Sequence, residues 1–507
     1  MIPLIRQVLI SHFHSWWCIK QKHKLNDDIK KGLFSQALFC SPKICTFAVI
    51  IYFSELTMMF SDYIPYYKKN LKIAIPIILS QVAGGLVAVV DTIMVGHLGT
   101  VELAAASFAN SIFLIGFVFS IGLTMATTPL VGKAYAQKKG GYIVELFQNS
   151  FLFALIMGVA IMLLSFVVYF FMDSMGQQED VVALAKPYFI LLIISILPFM
   201  FFSVFKQFVE ALGNTSIAMI IAIVANLLNV ALNYVLIFGK FGFPSWGLYG
   251  AGVATLISRV AMILLFVLAA RLNVSWWVYI QSFRWSLFRR KTVKLLASIG
   301  VPIGGQMFLE ISAFGISTIM VGWIGNVTLA AHQVAQMMAN ISFMAILGIA
   351  AASTVRISYA YGHLDMREMH MSIKASRHLV LLLTSVTALL YIAFRNYIPM
   401  IFTTDNEVIK TASPLIVLVG LFQLSDGLQA SGAAVLRGLT DVKVMVRYAF
   451  ISYICINIPV AYFLAFVVGL QEKGIWMGFI FGLSCAALLF HFRYKKQIQI
   501  LETSLKE

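Results

Sequence analysis

Twelve runs of roughly twenty apolar residues constrain this chain more than any other feature. They fall at about 71–95, 105–130, 149–172, 185–207, 216–238, 247–270, 296–320, 329–355, 378–402, 412–436, 446–468 and 474–491. Each is long enough to cross a hydrocarbon core of about 30 Å. They must be helices, because lipid offers no partner to an open strand edge, and a β-barrel would show short alternating segments instead. Interior prolines such as Pro76, Pro198, Pro302 and Pro459 are compatible with this, since neighbouring helices can satisfy the freed carbonyls. The expected fold is an all-α membrane protein of twelve transmembrane helices. Composition agrees: 60% of the residues are hydrophobic and only 11% charged, too few polar groups to cover a soluble surface.

The net charge of +16 could point to nucleic acid, but its placement argues otherwise. With the segment before residue 71 placed in the cytoplasm, the inner loops and tail carry 24 Lys and Arg and the outer loops 5. The inner set includes Lys133, Lys206, Arg271–Lys294, Arg356, Arg377, Arg437 and Arg493. This is a strong positive-inside bias. It puts both termini in the cytoplasm and sets the basic charge against anionic lipid, so no nucleic-acid partner is expected. Five cysteines without paired spacing exclude a disulfide framework and a structural metal, and Cys455 and Cys485 are expected to pack in apolar runs. Residues 1–58 stand outside the pattern. They are expected to be disordered or an artefact of the reading frame, with Met58 or Met59 as the natural start.

The two halves repeat. At a shift of 226, Thr92-Ile-Met-Val-Gly96 falls on Thr318-Ile-Met-Val-Gly322, Gly99 on Gly325, and Leu103-Ala-Ala105 on Leu329-Ala-Ala331. Val131 with Tyr135-Ala136 matches Val355 with Tyr359-Ala360, and Gly247 matches Gly474. Each half has an even number of spans, so both enter from the same side as parallel repeats, with the substrate path between them. The expected organisation is two pseudo-symmetric six-helix lobes, 59–270 and 296–492. A cytoplasmic linker, 271–295, would be anchored at the interface by Trp276, Trp277 and Trp285, and residues 493–507 would form a tail.

Ionisable groups inside spans are costly and are functional candidates by default. Three carboxylates stand out: Asp91, Glu310 and Asp426. At 1.5 Å per residue, Asp91 lies roughly 7–8 Å from the outer end of its span and Glu310 about 18 Å deep. In the repeat, Asp91 matches Ser317 and Glu310 matches Gly84, so the halves share a frame but not their chemistry. Two acids near one cavity suit a cation: either one holds a proton or both share a metal ion such as Na⁺, which takes oxygen ligands. Asn229 and Asn233, beside Asn226, share a helix face. They could ligate a cation, hydrogen-bond to Asp91, or act as interhelical glue. Gln306 and Gln333 are candidate polar lining. Glu210 is expected to be solvated near the cytoplasmic end, and Arg259 receives no role.

Val90-Asp91-Thr92-Ile-Met-Val-Gly96, Phe308-Leu-Glu310, Gln423-Leu-Ser-Asp426-Gly-Leu-Gln429 and Leu436-Arg-Gly438 resemble the motifs of the multidrug and toxic compound extrusion (MATE) family, NorM-like subgroup. The resemblance covers about residues 65–495. It implies two lobes of six helices and export of cationic, amphipathic compounds in exchange for Na⁺ or H⁺, with no cofactor. It also implies that Glu310 and Asp426 couple the cation in the C-terminal lobe, and that Asp91 with Asn229 and Asn233 forms the N-lobe counterpart. Phe422 departs from the pattern, since relatives often carry tyrosine there.

The expected protein is thus a cation-coupled multidrug antiporter of a bacterial inner membrane, sufficient as a monomer because the cleft lies within one chain. The alternative is a lipid-linked oligosaccharide flippase of related fold. That protein would line its cavity with basic residues to hold pyrophosphate. No nucleophile–base arrangement typical of an enzyme lies in the spans.

Overall fold

A computed structural model describes residues 42–272 and 274–505. The chain forms two units, residues 1–64 and 65–507. In the first unit, residues from Pro42 onward are helical; the expectation for residues 1–41 lies outside the described residues. The second unit carries the membrane fold.

Among the described residues, twelve helices are long and apolar enough to cross a bilayer, one for each expected run. The N-lobe consists of α1 (Asp62–Gly96), α2 (Thr100–Ala136), α3 (Gly140–Ser174), α4 (Glu179–Ala211), α5 (Thr215–Phe238) and α6 (Gly247–Leu272). The C-lobe consists of α7 (Arg290–Gly322), α8 (Asn326–His363), α9 (Met366–Ala393), α10 (Asn406–Gly438), α11 (Lys443–Val467) and α12 (Gln471–Ser504). The repeat is visible in the turns. Gly99 and Gly325, which precede α2 and α8, have φ of 157° and 155°, a conformation L-residues rarely adopt.

Most helices run past their apolar windows, because the helix continues through a charge that the fold can bury. Lys206, Arg356 and Arg437, expected in loops, therefore lie inside α4, α8 and α10. α11 is irregular: it is π-helical over Phe450–Asn457 and Phe463–Val467. Pro459 lies between the two stretches and has no N–H to give the preceding turn. Cys455 on this helix is exposed rather than packed.

The linker contains a short helix, Val274–Gln281. Trp276, expected as an interfacial anchor, is instead buried in the main core. The rest of the linker is tied to α3. Gln148 Nε2 donates to Arg284 O at 2.5 Å, and Asn149 Nδ2 donates to Leu287 O at 2.7 Å.

Lobe contacts concentrate toward the end of the bundle that carries Lys133, Arg367, Lys374 and Lys495, here termed the basic end. Gly122 on α2 meets Gly304 on α7 backbone to backbone, and a Cβ at Gly300 would stand 2.5 Å from Leu123 O. Such small residues let helices approach closely within lipid. Polar contacts latch the same end. Arg356 on α8 donates to Tyr66 O at 2.9 Å and to Asn70 Oδ1 at 2.8 Å, and it pairs with Glu368. Asn70 Nδ2 donates to Ser376 Oγ at 2.8 Å, and Tyr359 OH donates to Ala211 O at 2.6 Å. Toward the opposite end α1 and α7 present exposed apolar side chains, among them Val89, Ile93, Ile316 and Ile319.

Candidate functional site

The C-lobe gathers its polar groups around Glu310 and Asp426. Glu310 lies mid-way along α7 and Asp426 mid-way along α10. Gln306, one turn before Glu310, donates from Nε2 to Glu310 Oε2 at 2.7 Å. Arg437, near the end of α10, donates to Gln306 Oε1 at 3.1 Å. Gln306 therefore bridges an acid and a guanidinium. Gln429 Nε2 donates to Tyr453 OH at 2.9 Å, and the Tyr453 hydroxyl reaches Glu310 as well. Asp426 lies close enough to feel the Glu310 charge. It is only 3% exposed and Arg437 7%, so these charges must be balanced within the protein or by an ion from outside.

Several polar atoms in this lobe have no partner among the described residues. They include Gln423 Nε2, Arg437 Nε and both amide atoms of Asn457. Asn457 follows Tyr453 on the π-helical stretch of α11. Buried amides of this kind normally find a partner, and an ion or water would supply one. Phe422, which departs from the family's frequent tyrosine, packs edge-on against Phe314, Trp476 and Phe479.

The N-lobe holds a smaller cluster. Asn233 Nδ2 donates to Asp91 Oδ1 at 2.6 Å and approaches Asn229 Oδ1 at 3.4 Å. Asn233 thus forms the expected hydrogen bond to Asp91, and it joins α5 to α1. Asn226 lies near Gly84, whose added Cβ would stand 3.9 Å from its Nδ2. The two clusters sit in different lobes, and no described contact joins them.

Other expectations fare differently. Gln306 is a central member of its cluster, whereas Gln333 is exposed and forms no hydrogen bond to either cluster among the described residues. Glu210 is not solvated. It is 3% exposed, because α4 buries its end against neighbouring helices, and its nearest cation is Lys206 at 4.0 Å. Arg259 does have partners: it donates to Ser195 Oγ at 2.6 Å and lies over the rings of Phe113, Phe117 and Phe199. Sequence reasoning missed Arg437 and Tyr453 as site residues. Arg437 was counted among loop charges, and the π-helical turn hides the face on which Tyr453 lies. It also missed His332, fully buried, with Nε2 3.2 Å from Thr318 Oγ1 and its ring 5.6 Å from Trp476.

Twelve helices fit to span a membrane among the described residues, in two repeated lobes that each hold carboxylates along their spans, are the architecture of a membrane transporter. The chain belongs to the MATE family: the family model MatE matches residues 76–235 and 302–463, once in each lobe. The multidrug resistance protein MdtK of Yersinia pseudotuberculosis is 31% identical over 455 residues, 85% of this chain and 96% of that protein. The probable multidrug resistance protein NorM of Rhizobium meliloti is 33% identical over 444 residues, 85% of this chain and 93% of that protein. Among solved structures, the eukaryotic MATE transporter AtDTX14 superposes with a TM-score of 0.79 at 20% identity, covering 87% of this chain and 99% of that one. At that identity the match speaks to the fold alone.

Proposed function

We propose that this chain is a multidrug efflux antiporter of a bacterial inner membrane, exporting cationic amphipathic compounds in exchange for Na⁺ or H⁺. Both termini and the basic end face the cytoplasm. The names of the multidrug resistance proteins MdtK and NorM support drug export, and the acids along the spans support a cationic class. The set of half-buried Glu310 with buried Asp426, Gln306 and Arg437 carries the coupling. Two carboxylates against one guanidinium leave a deficit of one positive charge, which a single monovalent cation corrects. The oxygens of Glu310, Asp426 and Tyr453 form the hard ligand set that Na⁺ prefers, and the carboxylates alone suffice for a proton.

In this reading the lobes are latched at the cytoplasmic end and the cleft faces outward. A cation entering from outside occupies the Glu310–Asp426 set and favours this state. Asp91, held by Asn233, offers the N-lobe negative charge to a cationic compound. Occupancy shifts the equilibrium only through differential affinity for the two states. The intramembrane arginines do not form the basic lining that a lipid-linked pyrophosphate would need, since Arg259 is held by Ser195 and three rings and Arg437 by Gln306.

The test is ethidium efflux from cells expressing the wild type or Glu310→Gln/Asp426→Asn, with and without Na⁺. Efflux that rises with Na⁺ and disappears in the double variant supports Na⁺ coupling through this pair. Efflux indifferent to Na⁺ but abolished by a protonophore identifies protons. Equal export by both proteins under every condition refutes the mechanism.

A further inference from the structure

A groove of about 450 Å³ opens on the C-lobe between α9, α10 and α12, and its lining includes no residue of either cluster described above. Its mouth is polar. Arg377 on α9 reaches His491 Nδ1 and Tyr494 OH on α12, each at 3.4 Å, and those two groups lie 2.8 Å apart. Its walls are apolar, with Leu428, Leu488 and Phe492 along the cleft. At the far end the hydroxyls of Ser425 and Ser484 pair at 2.8 Å.

The depth matches a lipid. Arg377 immediately precedes the apolar run 378–402, and His491 ends the run 474–491, so the mouth lies at headgroup level. Ser484 lies seven residues inside His491, or about 10 Å along the helix. The groove thus runs from the interface into the hydrocarbon layer.

The charge matches as well. Lys374 lies one turn before Arg377 on α9, and Lys495 one turn after His491 on α12, both exposed. Among the described residues no carboxylate lies within ion-pair distance of Arg377, Lys374 or Lys495. Glu502, further along α12, lies beside His370 instead. One arginine held at the mouth, with two exposed lysines on the same helices and no acid paired to any of the three among the described residues, beside a slot lined by hydrocarbon, forms a site for a phosphate that carries an acyl chain. These cations would repel the ammonium of a zwitterionic headgroup.

We propose that this groove binds an anionic phospholipid of the leaflet at the basic end, with its phosphate on Arg377 and an acyl chain between Leu428, Leu488 and Phe492. The inference stands apart from the reading of ion coupling, since it uses none of those residues.

Native mass spectrometry of the purified full-length protein tests it, with phosphatidylglycerol and phosphatidylethanolamine of identical chains. The wild type should hold phosphatidylglycerol at roughly tenfold or more lower concentration than phosphatidylethanolamine. Lys374→Gln/Lys495→Gln, both exposed, and Arg377→Gln should erase that preference. Leu428→Trp, which fills the groove and leaves the basic mouth intact, should also lose the lipid, and it decides the matter if Arg377→Gln fails to fold. Equal retention of the two lipids by the wild type, or unchanged retention by Leu428→Trp, overturns the proposal. Displacement of the lipid by sn-glycerol 3-phosphate alone overturns it too, because the site would then be one for a small phosphate.

Discussion

The α2–α7 crossing makes the state of the transporter sensitive to a single methyl group. A Cβ at Gly122 would stand 2.6 Å from Gly304 N and 3.0 Å from Ile303 C, against a comfortable separation of about 3.5–4.0 Å. The Gly122→Val substitution therefore forces the helices apart by roughly 1 Å, and more for the branched methyls. Neither partner can yield by rotating a side chain, because both surfaces are backbone. Overpacking of this kind costs about 1–3 kcal/mol, and the cost falls only on the state in which the basic end is closed. The ratio of closed to open at that end should drop by roughly 5- to 150-fold. Spin labels on exposed Lys138 and Leu364, in a cysteine-free background, would report the distance across the basic end. Labels on His97 and Trp323 would report the opposite end. We expect the first distance to lengthen and the second to shorten. Gly315→Val is the control, since nothing lies within 4 Å of its added Cβ. If Gly122→Val folds with distance distributions like those of Gly315→Val, then the crossing does not set the state and the reasoning is wrong.

Two further perturbations address the charges. Arg437→Met leaves Glu310 without its guanidinium and should cost about 3–5 kcal/mol of stability; thermal melts in detergent should recover part of that on adding the coupling cation, and an unchanged melting temperature would remove Arg437 from the charge balance. Arg356→Gln deletes the ion pair to Glu368 and weakens the hydrogen bonds to Tyr66 O and Asn70, each worth about 1.5–3 kcal/mol when charged. It should lengthen the Lys138–Leu364 distance much as Gly122→Val does, and an unaltered distance would mean that the latch is dispensable.

The spans were legible because bilayer thickness imposes a length on every apolar run, and the repeat because Thr92–Gly96 and Thr318–Gly322 keep one register. Asp91, Glu310 and Asp426 were legible because a carboxylate in an apolar run has no cheap explanation. The partners were harder. Gln306 follows from helical spacing, since Gln306 and Glu310 are one turn apart on a regular helix. Tyr453 does not, because the π-helical stretch Phe450–Asn457 breaks the 3.6-residue phase on which such reasoning depends. Arg437 was misread for another reason. A hydropathy window stops at the first charge, whereas the helix continues and buries it. Glu210 was misjudged on the same ground, its depth in the lobe being set by neighbours distant in sequence. Gln333 is exposed on α8, and helical spacing alone does not say what such a residue faces.

Coupling requires an element that senses both the ion and the state of the lobes, and α7 is placed to do so. Its Gly304 is the backbone contact with α2, and its Gln306 bridges Arg437 and Glu310. Gly304 and Glu310 are six residues apart, or about 9 Å along the helix. Under the proposed function, a cation on Glu310 would compete with the Gln306 amide for the same carboxylate oxygens and so alter the contacts of a residue two positions from the crossing. Pro302 sits between Gly300 and Gly304 and removes a hydrogen bond from the turn that must adjust. The N-lobe equivalent, Pro76 on α1, has no acid at the position of Glu310, because Gly84 stands there. Shared frame and unshared charge thus place the paired acids in one lobe, while the helix crossing ties their helix to the other.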